Sequence, residues 1–399
     1  MNAKNKKKLF IHIGSLQVGG AEKSLVSFLN TLPKDIYDID LMLLNNNGLF
    51  NRLVPKHINI ISAPFPYNCL SISPKNLKYY LRHNPKYFIK KLYSYYSTTN
   101  NRKTPMDQVL WQIWRNDIKT YEKEYDLAIS YLEGLTNYYV IDKVHAKRKI
   151  IWVHNEYTKL KYDKDIDRGY FSKADAIVTI SEICKKDLEK NFPEYKEKFH
   201  ILENITNPVI VRGMAEESIE DPIFNNNEEA FKILSIGRLF PQKNYPLAID
   251  AAQILKDKGL NFKWYILGDG KLRSELEKKI TSLSLEDNFI LLGVRPNPYA
   301  YMKQCDIIVQ SSLFEGKSIA IDEAKILCKP IVTTNYQTVY DVITDGINGL
   351  IAEMTPEALS AKIIELYNNP GLREEISSNL KQENVNNTSE IDNYIKLFG

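Results

Sequence analysis

The amino-acid sequence predicts an α/β protein built from two doubly wound parallel-sheet domains. Short apolar, β-branched segments alternate with amphipathic segments of helical length, a pattern typical of βαβ units on a parallel sheet. The chain has 399 residues, a length that favours two domains over one. A polar stretch of little apolar periodicity, 204–230, separates two sets of strand-like segments, so we expect one sheet on each side of it.

The predicted strands before this stretch are 9–13, 39–44, 127–131, 150–154, 176–180 and 199–202. Those after it are 232–236, 262–267, 289–292, 307–310, 330–333 and 349–351. Each set suffices for a Rossmann-like sheet, which gives domains at 1–203 and 231–385, a linker at 204–230, and a C-terminal helix at 386–399 that packs back toward the first domain. Doubly wound sheets bind ligands beyond the carboxyl ends of their strands, so we expect the active site in an interdomain cleft.

Composition excludes several classes of function. The net charge of +4 is too mild for a nucleic-acid-binding protein without a concentrated basic face. The four cysteines show no CxxC spacing, so we expect neither a zinc site nor a disulfide framework, and a reducing compartment is the simplest assignment. No apolar run reaches the length of a membrane span. We therefore expect a cytoplasmic protein, soluble or peripheral on the inner face of the plasma membrane.

The first candidate motif contains Gly19 and Gly20, after the first predicted strand and at the start of a helix. Glycines at such a junction let the backbone approach a ligand, and the free N–H groups of a helix start favour an anion. The spacing differs from the GxGxxG of dinucleotide-binding folds. A tight strand-to-helix turn without a ligand explains these glycines equally well.

The second motif is Gly237-Arg238-Leu239-Phe240-Pro241-Gln242-Lys243, directly after the first strand of the second domain. A diphosphate leaving group needs positive charge near its developing negative charge. Arg238 and Lys243 supply two cations on one loop, at the end of the sheet where ligands bind. The alternative is a solvated basic loop.

The third motif runs from Glu315 to Glu323, after the strand that ends at Gln310. Gly316 permits a close backbone turn, and a helix that begins near Ser318 would direct its N-terminal N–H groups at a phosphate. Glu323 would lie in the first turns of that helix, where a carboxylate can bind two vicinal ribose hydroxyls. Both glutamates could also be ordinary surface residues.

These motifs, together with Gly268-Asp269-Gly270 and Asp345-Gly346-Ile347-Asn348-Gly349-Leu350, occur in the order found in glycosyltransferase family 4. The chain resembles this family of retaining GT-B enzymes, of the bacterial polysaccharide-biosynthesis type, over nearly its whole length. The resemblance implies that a hexose or N-acetylhexosamine is moved from a nucleotide-diphosphate sugar, most simply a UDP-sugar, to a lipid-linked or cell-surface glycan. It implies no cofactor other than the donor itself.

The resemblance also implies roles for particular residues. Arg238 and Lys243 would hold the diphosphate, Glu323 the ribose, and Glu315 would lie beside the donor sugar. The remaining donor-binding positions would be Gly237, Gly268, Gly316, Lys317, Ser318 and Ile319. His154 ends a strand of the first domain, where similar enzymes place a histidine against the transferred sugar. A strand-end histidine is more often structural, which leaves both roles open.

The sequence departs from the family pattern at Lys317, where an aromatic residue is common, and at 335–338, which replaces a Gly-Gly-x-Pro-Glu stretch. These changes bear on sugar and base recognition. Two Asp-Ile-Asp triplets, 38–40 and 165–167, could suggest a metal-binding DxD motif. Because the cationic loop already supplies the needed charge, we expect no metal.

Two alternatives fit the same fold. One is a nucleotide-sugar epimerase, which would need neither an acceptor pocket nor a lipid-facing surface. The other is a non-catalytic, nucleotide-sugar-binding partner subunit of another transferase. Such a subunit would be expected to lose some of Arg238, Lys243 and Glu323, yet this chain has all three.

Residues 75–123 form a basic and aromatic insertion in the first domain. Lysine and arginine alternate there with tyrosine, phenylalanine and tryptophan, while its acids are Asp107, Asp117 and Glu122. Aromatic rings suit the headgroup boundary of a membrane, and cations are attracted to anionic lipids. We therefore expect this insertion to face an anionic membrane surface or a lipid-linked acceptor. The alternative is a pair of solvated helices whose rings pack on the domain core.

Overall fold

The computed structural model describes residues 6–17, 19–71, 85–100, 105–224, 229–315, 318–383 and 385–399. The chain divides into two compact units, which are described separately below. Unit 1 comprises Met1–Ile205 and Thr388–Gly399, and unit 2 comprises Thr206–Asn387.

Unit 1 is built on a parallel sheet with the order β3-β2-β1-β4-β5-β6-β7. Its described strands are β1 (Lys7–Ser15), β2 (Tyr37–Asn45), β3 (Asn59–Ser62), β4 (Tyr121–Ser130), β5 (Val144–Trp152), β6 (Ala176–Thr179) and β7 (Phe199–Ile201). Its described helices before residue 205 are α1 (Gly20–Thr31), α2 (Pro85–Asn100), α3 (Met106–Trp114), α4 (Leu135–Lys143), α5 (Tyr157–Leu160), α6 (Lys164–Phe171) and α7 (Glu182–Asn191). Short 3₁₀ helices lie at Leu49–Leu53, Tyr67–Ser71 and Pro193–Lys198.

The C-terminal helix (Ile391–Phe398) completes unit 1. The Tyr394 ring stacks on Phe28 with centroids 5.0 Å apart, and the Tyr394 hydroxyl donates to the Glu203 carbonyl at 3.0 Å. Phe398 packs edge-on against Phe28. Both C-terminal rings are buried, and each contributes about 2 to 3 kcal/mol by removal of apolar surface from water.

Unit 2 has a parallel sheet with the order β10-β9-β8-β11-β12-β13. Its described strands are β8 (Phe231–Ile236), β9 (Phe262–Leu267), β10 (Phe289–Gly293), β11 (Ile307–Gln310), β12 (Ile331–Thr334) and β13 (Leu350–Ala352). Its described helices are α8 (Pro208–Ala215), α9 (Tyr245–Asp257), α10 (Arg273–Ser282), α11 (Pro298–Gln304), α12 (Ile319–Ile326), α13 (Pro356–Asn368) and α14 (Pro370–Glu383). Short 3₁₀ helices lie at Pro241–Lys243 and Val339–Asp341.

The predicted fold class, with two parallel Rossmann-like sheets, is confirmed. Every predicted strand is present, although β4 and β5 each begin six residues earlier than predicted. The unit 1 sheet also contains β3, which the sequence pattern did not indicate. The segment expected to be a linker contains α8, whose Val211, Met214 and Ala215 are buried within unit 2.

In the basic and aromatic insertion, several side chains that were expected to face outward are buried. Trp111 and Trp114 belong to the buried core of unit 1, and Tyr87 stacks on Trp114 with centroids 5.7 Å apart. Lys91 is buried as well, and its ammonium donates to the Cys69 carbonyl at 2.9 Å. The expectation that these two tryptophans and Lys91 face a membrane is therefore wrong, because core packing holds them inside.

Two other lysines of the insertion form salt bridges near the surface of unit 1. Lys86 and Lys90 both pair with Asp117. Seven predicted contact residues lie outside the described residues, namely Lys75, Lys78, Tyr79, Tyr80, Arg82, Arg102 and Lys103. Among the helices that the structure describes, none is both long and apolar enough to cross a bilayer.

Candidate functional site

The loop after β8 begins at Gly237 and folds so that the Lys243 side chain lies against this glycine. Pro241–Lys243 is a 3₁₀ turn, and Asn244 follows in the left-handed conformation with φ of 48°. A Cβ at Gly237 would lie 2.8 Å from Lys243 Cε, so the lysine side chain packs directly against this glycine. The loop thus brings the Lys243 side chain back over the carboxyl end of β8.

The loop after β9 packs backbone against backbone on the loop after β8. The Leu239 N–H donates to the Asp269 carbonyl at 3.0 Å, and the Leu272 N–H donates to the Leu239 carbonyl at 3.1 Å. Gly268 has φ of 144°, and a Cβ there would overlap the Gly237 carbonyl oxygen. Gly268 therefore serves the close approach of the two loops.

Glu315 fixes the Lys243 ammonium group. Lys243 Nζ lies 2.5 Å from Glu315 Oε1, and the glutamate side chain is 8% exposed. The same carboxylate accepts from Ser312 Oγ at 2.6 Å and from Gln242 Nε2 at 3.1 Å. These charge-assisted bonds hold the Lys243 ammonium in one position, as an ion pair at the sheet edge.

Hydrogen bonds to main-chain carbonyl groups also join the loop after β8 to the loop after β11. Ser311 Oγ donates to the Lys243 carbonyl at 2.8 Å, and the Leu313 N–H donates to the Gln242 carbonyl at 2.8 Å. The loop after β8 and the loop after β11 therefore form one connected structure. Ser311, Ser312 and Gln242 were not among the predicted site residues, although Gln242 lies within the second motif.

Arg238 differs from Lys243 in its surroundings. It is exposed, and its guanidinium lies over the Phe240 ring at 5.1 Å from the centroid. Within the described part of the chain, Arg238 forms no salt bridge. A planar guanidinium held on a ring keeps its N–H groups available for a bidentate anion such as phosphate.

The third motif forms a capped helix, as predicted. Ser318 is the N-cap of α12, where its Oγ accepts from the Ile321 N–H at 3.4 Å and donates to Gln310 Oε1 at 2.6 Å. Ile319 is the first residue of the helix. Gly316 and Lys317 lie outside the described residues.

Glu323 lies on the same helix and is buried, with 1% exposure. The Tyr299 hydroxyl donates to Glu323 Oε1 at 2.7 Å. Burial and the neighbouring carboxylate raise the pKa of Tyr299 well above its ordinary value, which keeps the hydroxyl protonated as a donor. The position of the Glu323 carboxylate is therefore set by a tyrosine that the sequence motifs did not indicate.

His154 lies in unit 1, just past the carboxyl end of β5. Its Nε2–H donates to the Tyr131 carbonyl at 2.9 Å, and its backbone N–H donates to Glu133 Oε2 at 3.0 Å. Burial lowers the pKa of His154, although the nearby Glu133 charge opposes this shift. A neutral imidazole with one nitrogen protonated acts as a hydrogen-bond partner and not as a fixed charge.

Gly19 is the N-cap of α1, and Gly20 is its first residue. A Cβ at Gly19 would overlap the Glu22 carboxylate, which therefore lies against this helix start. A carboxylate at a helix N-terminus is stabilised by the free N–H groups and by the helix dipole. Part of the space expected for a ligand anion is thus occupied by a side chain of the same helix.

The Asp-Ile-Asp triplets take part in structural networks. Asp40 accepts from Tyr125 and Lys123, both at 2.6 Å. Asp167 accepts from Tyr138 and Tyr157, also both at 2.6 Å. Among the described residues, no group of three or more His, Cys, Asp and Glu side chains has the arrangement of a metal site.

Comparison with known proteins gives matches to a family model and to individual glycosyltransferases. Residues 216–383 match the family model described as Glycosyl transferases group 1. An uncharacterized glycosyltransferase of Methanocaldococcus jannaschii is 32% identical over 196 residues, which are 47% of this chain and 48% of that protein. A Campylobacter jejuni 4-alpha-N-acetylgalactosaminyltransferase named for an undecaprenol diphosphate-linked glycan is 31% identical over 52% of this chain and 54% of its own. These alignments span about half the length of the relatives.

Solved structures match over nearly the whole chain. HepE of Anabaena in complex with UDP-glucose has a TM-score of 0.65 at 17% identity, with 98% of each chain covered. WaaG, a glycosyltransferase involved in lipopolysaccharide biosynthesis, has a TM-score of 0.65 at 15% identity, with 98% of this chain and 99% of its own covered. The chain therefore has the two-domain GT-B fold, and its residues 216–383 match the group 1 glycosyl transferases.

Proposed function

We propose that this protein is a retaining glycosyltransferase that moves a hexose or N-acetylhexosamine from a nucleotide-diphosphate sugar to a lipid-linked or cell-surface glycan. The observation that carries the proposal is the cationic edge of the unit 2 sheet. There, Lys243 is fixed by Glu315 on a loop shared with the exposed Arg238. The group 1 match covers this region, one relative is named for an undecaprenol diphosphate-linked glycan, and another is named for poly(ribitol-phosphate).

The two cations suit the departure of a nucleoside diphosphate. When the bond from the sugar to the phosphate breaks, negative charge grows on the leaving oxygen, and positive groups already in place lower the barrier. Arg238 offers a fork for two phosphate oxygens, whereas Lys243 offers a point charge. Glu323 would bind the ribose and Glu315 would lie beside the donor sugar, with a UDP-sugar as the simplest donor.

The proposed reaction assigns no protein nucleophile. Retaining glycosidases use a carboxylate for this purpose, but the resemblance to family 4 favours a same-face route. In that route the departing phosphate takes the proton of the acceptor hydroxyl. We place the acceptor on unit 1, where neutral His154 would contact the transferred sugar through a hydrogen bond.

Exposed apolar residues on α2 support a role for a membrane surface. Ile89, Leu92, Tyr93 and Tyr96 follow the i, i+3, i+4, i+7 spacing of one helix face and are each more than 40% exposed. We propose that this stripe, and not the buried Lys91 or the tryptophans, rests at the headgroup boundary of an anionic membrane. A lipid-linked acceptor would then lie close to unit 1.

The test is a donor panel with the purified protein. UDP-, GDP- and ADP-sugars are compared by thermal shift and by release of the nucleoside diphosphate, with and without undecaprenyl-diphosphate-linked acceptor. The proposal predicts binding of one nucleotide class and faster release with acceptor. Binding without any turnover in the presence of several acceptors would instead favour the non-catalytic partner subunit, and binding of none would contradict the proposal.

A further inference from the structure

A third cation joins the two predicted ones at the same edge of unit 2. Lys271 lies in the loop after β9, and its ammonium lies over the Phe240 ring at 5.2 Å from the centroid. Arg238 lies over the same ring at 5.1 Å. One phenylalanine of the second motif therefore holds two positive groups from two different loops.

The backbone explains why these groups meet. The loop after β8 and the loop after β9 are joined by hydrogen bonds between Leu239 and its partners Asp269 and Leu272. A Cβ at Gly270 would lie 2.5 Å from the Leu239 carbonyl oxygen, so the chain can approach this closely only with glycine there. Lys271 follows this glycine directly and is thereby placed beside Phe240.

The arrangement brings like charges together. The separation of the Arg238 and Lys271 charges cannot exceed the sum of their distances from the ring centre, which is about one Debye length at 0.1 M salt. The acid of the same loop, Asp269, accepts from the Gly270 N–H at 2.7 Å and lies 3.9 Å from Arg273 Nη1. Two cations within this distance of each other attract an anion with more than one charge more strongly than either cation does alone.

We propose that Lys271 is a third cation for the donor diphosphate, held with Arg238 on the Phe240 ring. The inference rests on the proposed function, since it names a further residue for the same leaving group. Arg238 and Lys243 lie on one loop, whereas Lys271 approaches from the next strand. Lys271 would therefore add to binding of a nucleoside diphosphate more than to binding of the monophosphate.

The experiment measures binding of nucleotides by calorimetry at low and at moderate salt. The panel of UDP, GDP and ADP first identifies which diphosphate the wild type binds, and the matching monophosphate is then titrated. Lys271→Gln is compared with Lys278→Gln, which removes another exposed lysine at α10. Lys271→Gln is expected to raise the Kd of the diphosphate about threefold to tenfold, to change that of the monophosphate less, and to flatten the salt dependence.

Phe240→Leu provides the second variant, because leucine keeps apolar bulk but has no ring face. In a double-mutant cycle, the effect of Lys271→Gln is expected to shrink in the Phe240→Leu background. Equal Kd values for wild type and Lys271→Gln, or equal losses in Lys271→Gln and Lys278→Gln, would overturn the role of Lys271 and leave the proposed function standing. If the wild type bound none of the diphosphates, the proposed function and this inference would both fall.

Discussion

Lys243 Nζ and Glu315 Oε1 lie 2.5 Å apart, which joins the loop after β8 to the loop after β11. The resemblance to glycosyltransferase family 4 implies two separate tasks for these residues, with Lys243 at the diphosphate and Glu315 beside the sugar. The structure makes them one ion pair, largely shielded from solvent and supported by Ser312 and Gln242. The Lys243 ammonium is therefore held in position by neighbouring side chains, and we propose that this fixed position serves the departing diphosphate.

Removal of either predicted phosphate cation is expected to slow turnover strongly. Lys243→Ala and Arg238→Ala should each lower kcat by roughly a hundredfold or more, the usual scale for loss of one group that stabilises transition-state charge. Steady-state release of the nucleoside diphosphate measures this, with circular dichroism as the check on folding. Near-normal turnover in a folded variant would show that the diphosphate lies elsewhere.

Loss of the Glu315 carboxylate is expected to reduce stability as well as activity. Glu315→Gln leaves Lys243 without its partner in a mostly buried place and should lower the free energy of unfolding by about 1 to 3 kcal/mol. The matched control is Glu277→Gln, since Glu277 forms a more exposed pair with Arg273. The measurement is urea denaturation of the wild type, Glu315→Gln and Glu277→Gln. Equal midpoints would mean that the buried pair adds nothing to the free energy of unfolding.

The pKa of His12 predicts how acid destabilises unit 1. His12 is buried, its ring bonds the Met42 carbonyl at 3.0 Å and the Tyr67 hydroxyl at 2.8 Å, and burial lowers its pKa from 6.5 to about 4. Because the unfolded chain takes up this proton first, stability is fully present above pH 6.5 and is lost as the pH falls toward 4. The contribution lost is roughly 3 kcal/mol.

Urea unfolding at several pH values tests this prediction in a Trp264→Phe background, where the remaining tryptophans report on unit 1. His12→Asn should show a weaker pH dependence, although burial also lowers the pKa of His154 and some dependence will remain. His57→Asn, at an exposed histidine, should behave as the parent does. An unchanged slope in His12→Asn would mean that His12 takes up a proton as readily in the folded state as in the unfolded chain.

The exposed stripe of α2 predicts binding to anionic vesicles. The triple change of Ile89, Leu92 and Tyr93 to Ser should reduce co-sedimentation with phosphatidylcholine vesicles that contain phosphatidylglycerol, because these side chains provide the apolar contact. Val209→Ser removes an apolar residue of even higher exposure on unit 2 and serves as the control. If the wild type stayed in the supernatant at low salt, the membrane proposal would fail.

Much of the fold follows from local sequence pattern. The predicted strands are short runs of β-branched residues, buried on both faces, which is the strongest pattern a parallel sheet produces. The strand β3 escaped prediction because Asn59-Ile60-Ile61-Ser62 is a short edge strand with two apolar residues. Helix α8 escaped because its sequence lies among polar and acidic residues that favour a loop.

The side chains of the insertion could not be assigned from composition. A lysine in an aromatic segment has the same local sequence pattern whether its ammonium faces water or donates to carbonyl groups. Lys91 is buried because the folded chain brings the Cys69 and Leu70 carbonyls to its ammonium. The candidate site shows the same limit. The motifs located Glu323 and Lys243, but Tyr299 and Ser312 come from other segments whose approach depends on the folded sheet.

The anomeric configuration of the product distinguishes a retaining transferase from an inverting one. The wild type is incubated with its donor and a lipid-linked acceptor, with and without chelator, and the coupling constant of the new anomeric proton is measured by NMR. With the proposed retaining mechanism, an α-linked donor gives an α-linked product, and chelator leaves the rate unchanged because side chains and a helix N-terminus meet the phosphate charge. A β-linked product, or activity that disappears in chelator and returns with manganese, would contradict it.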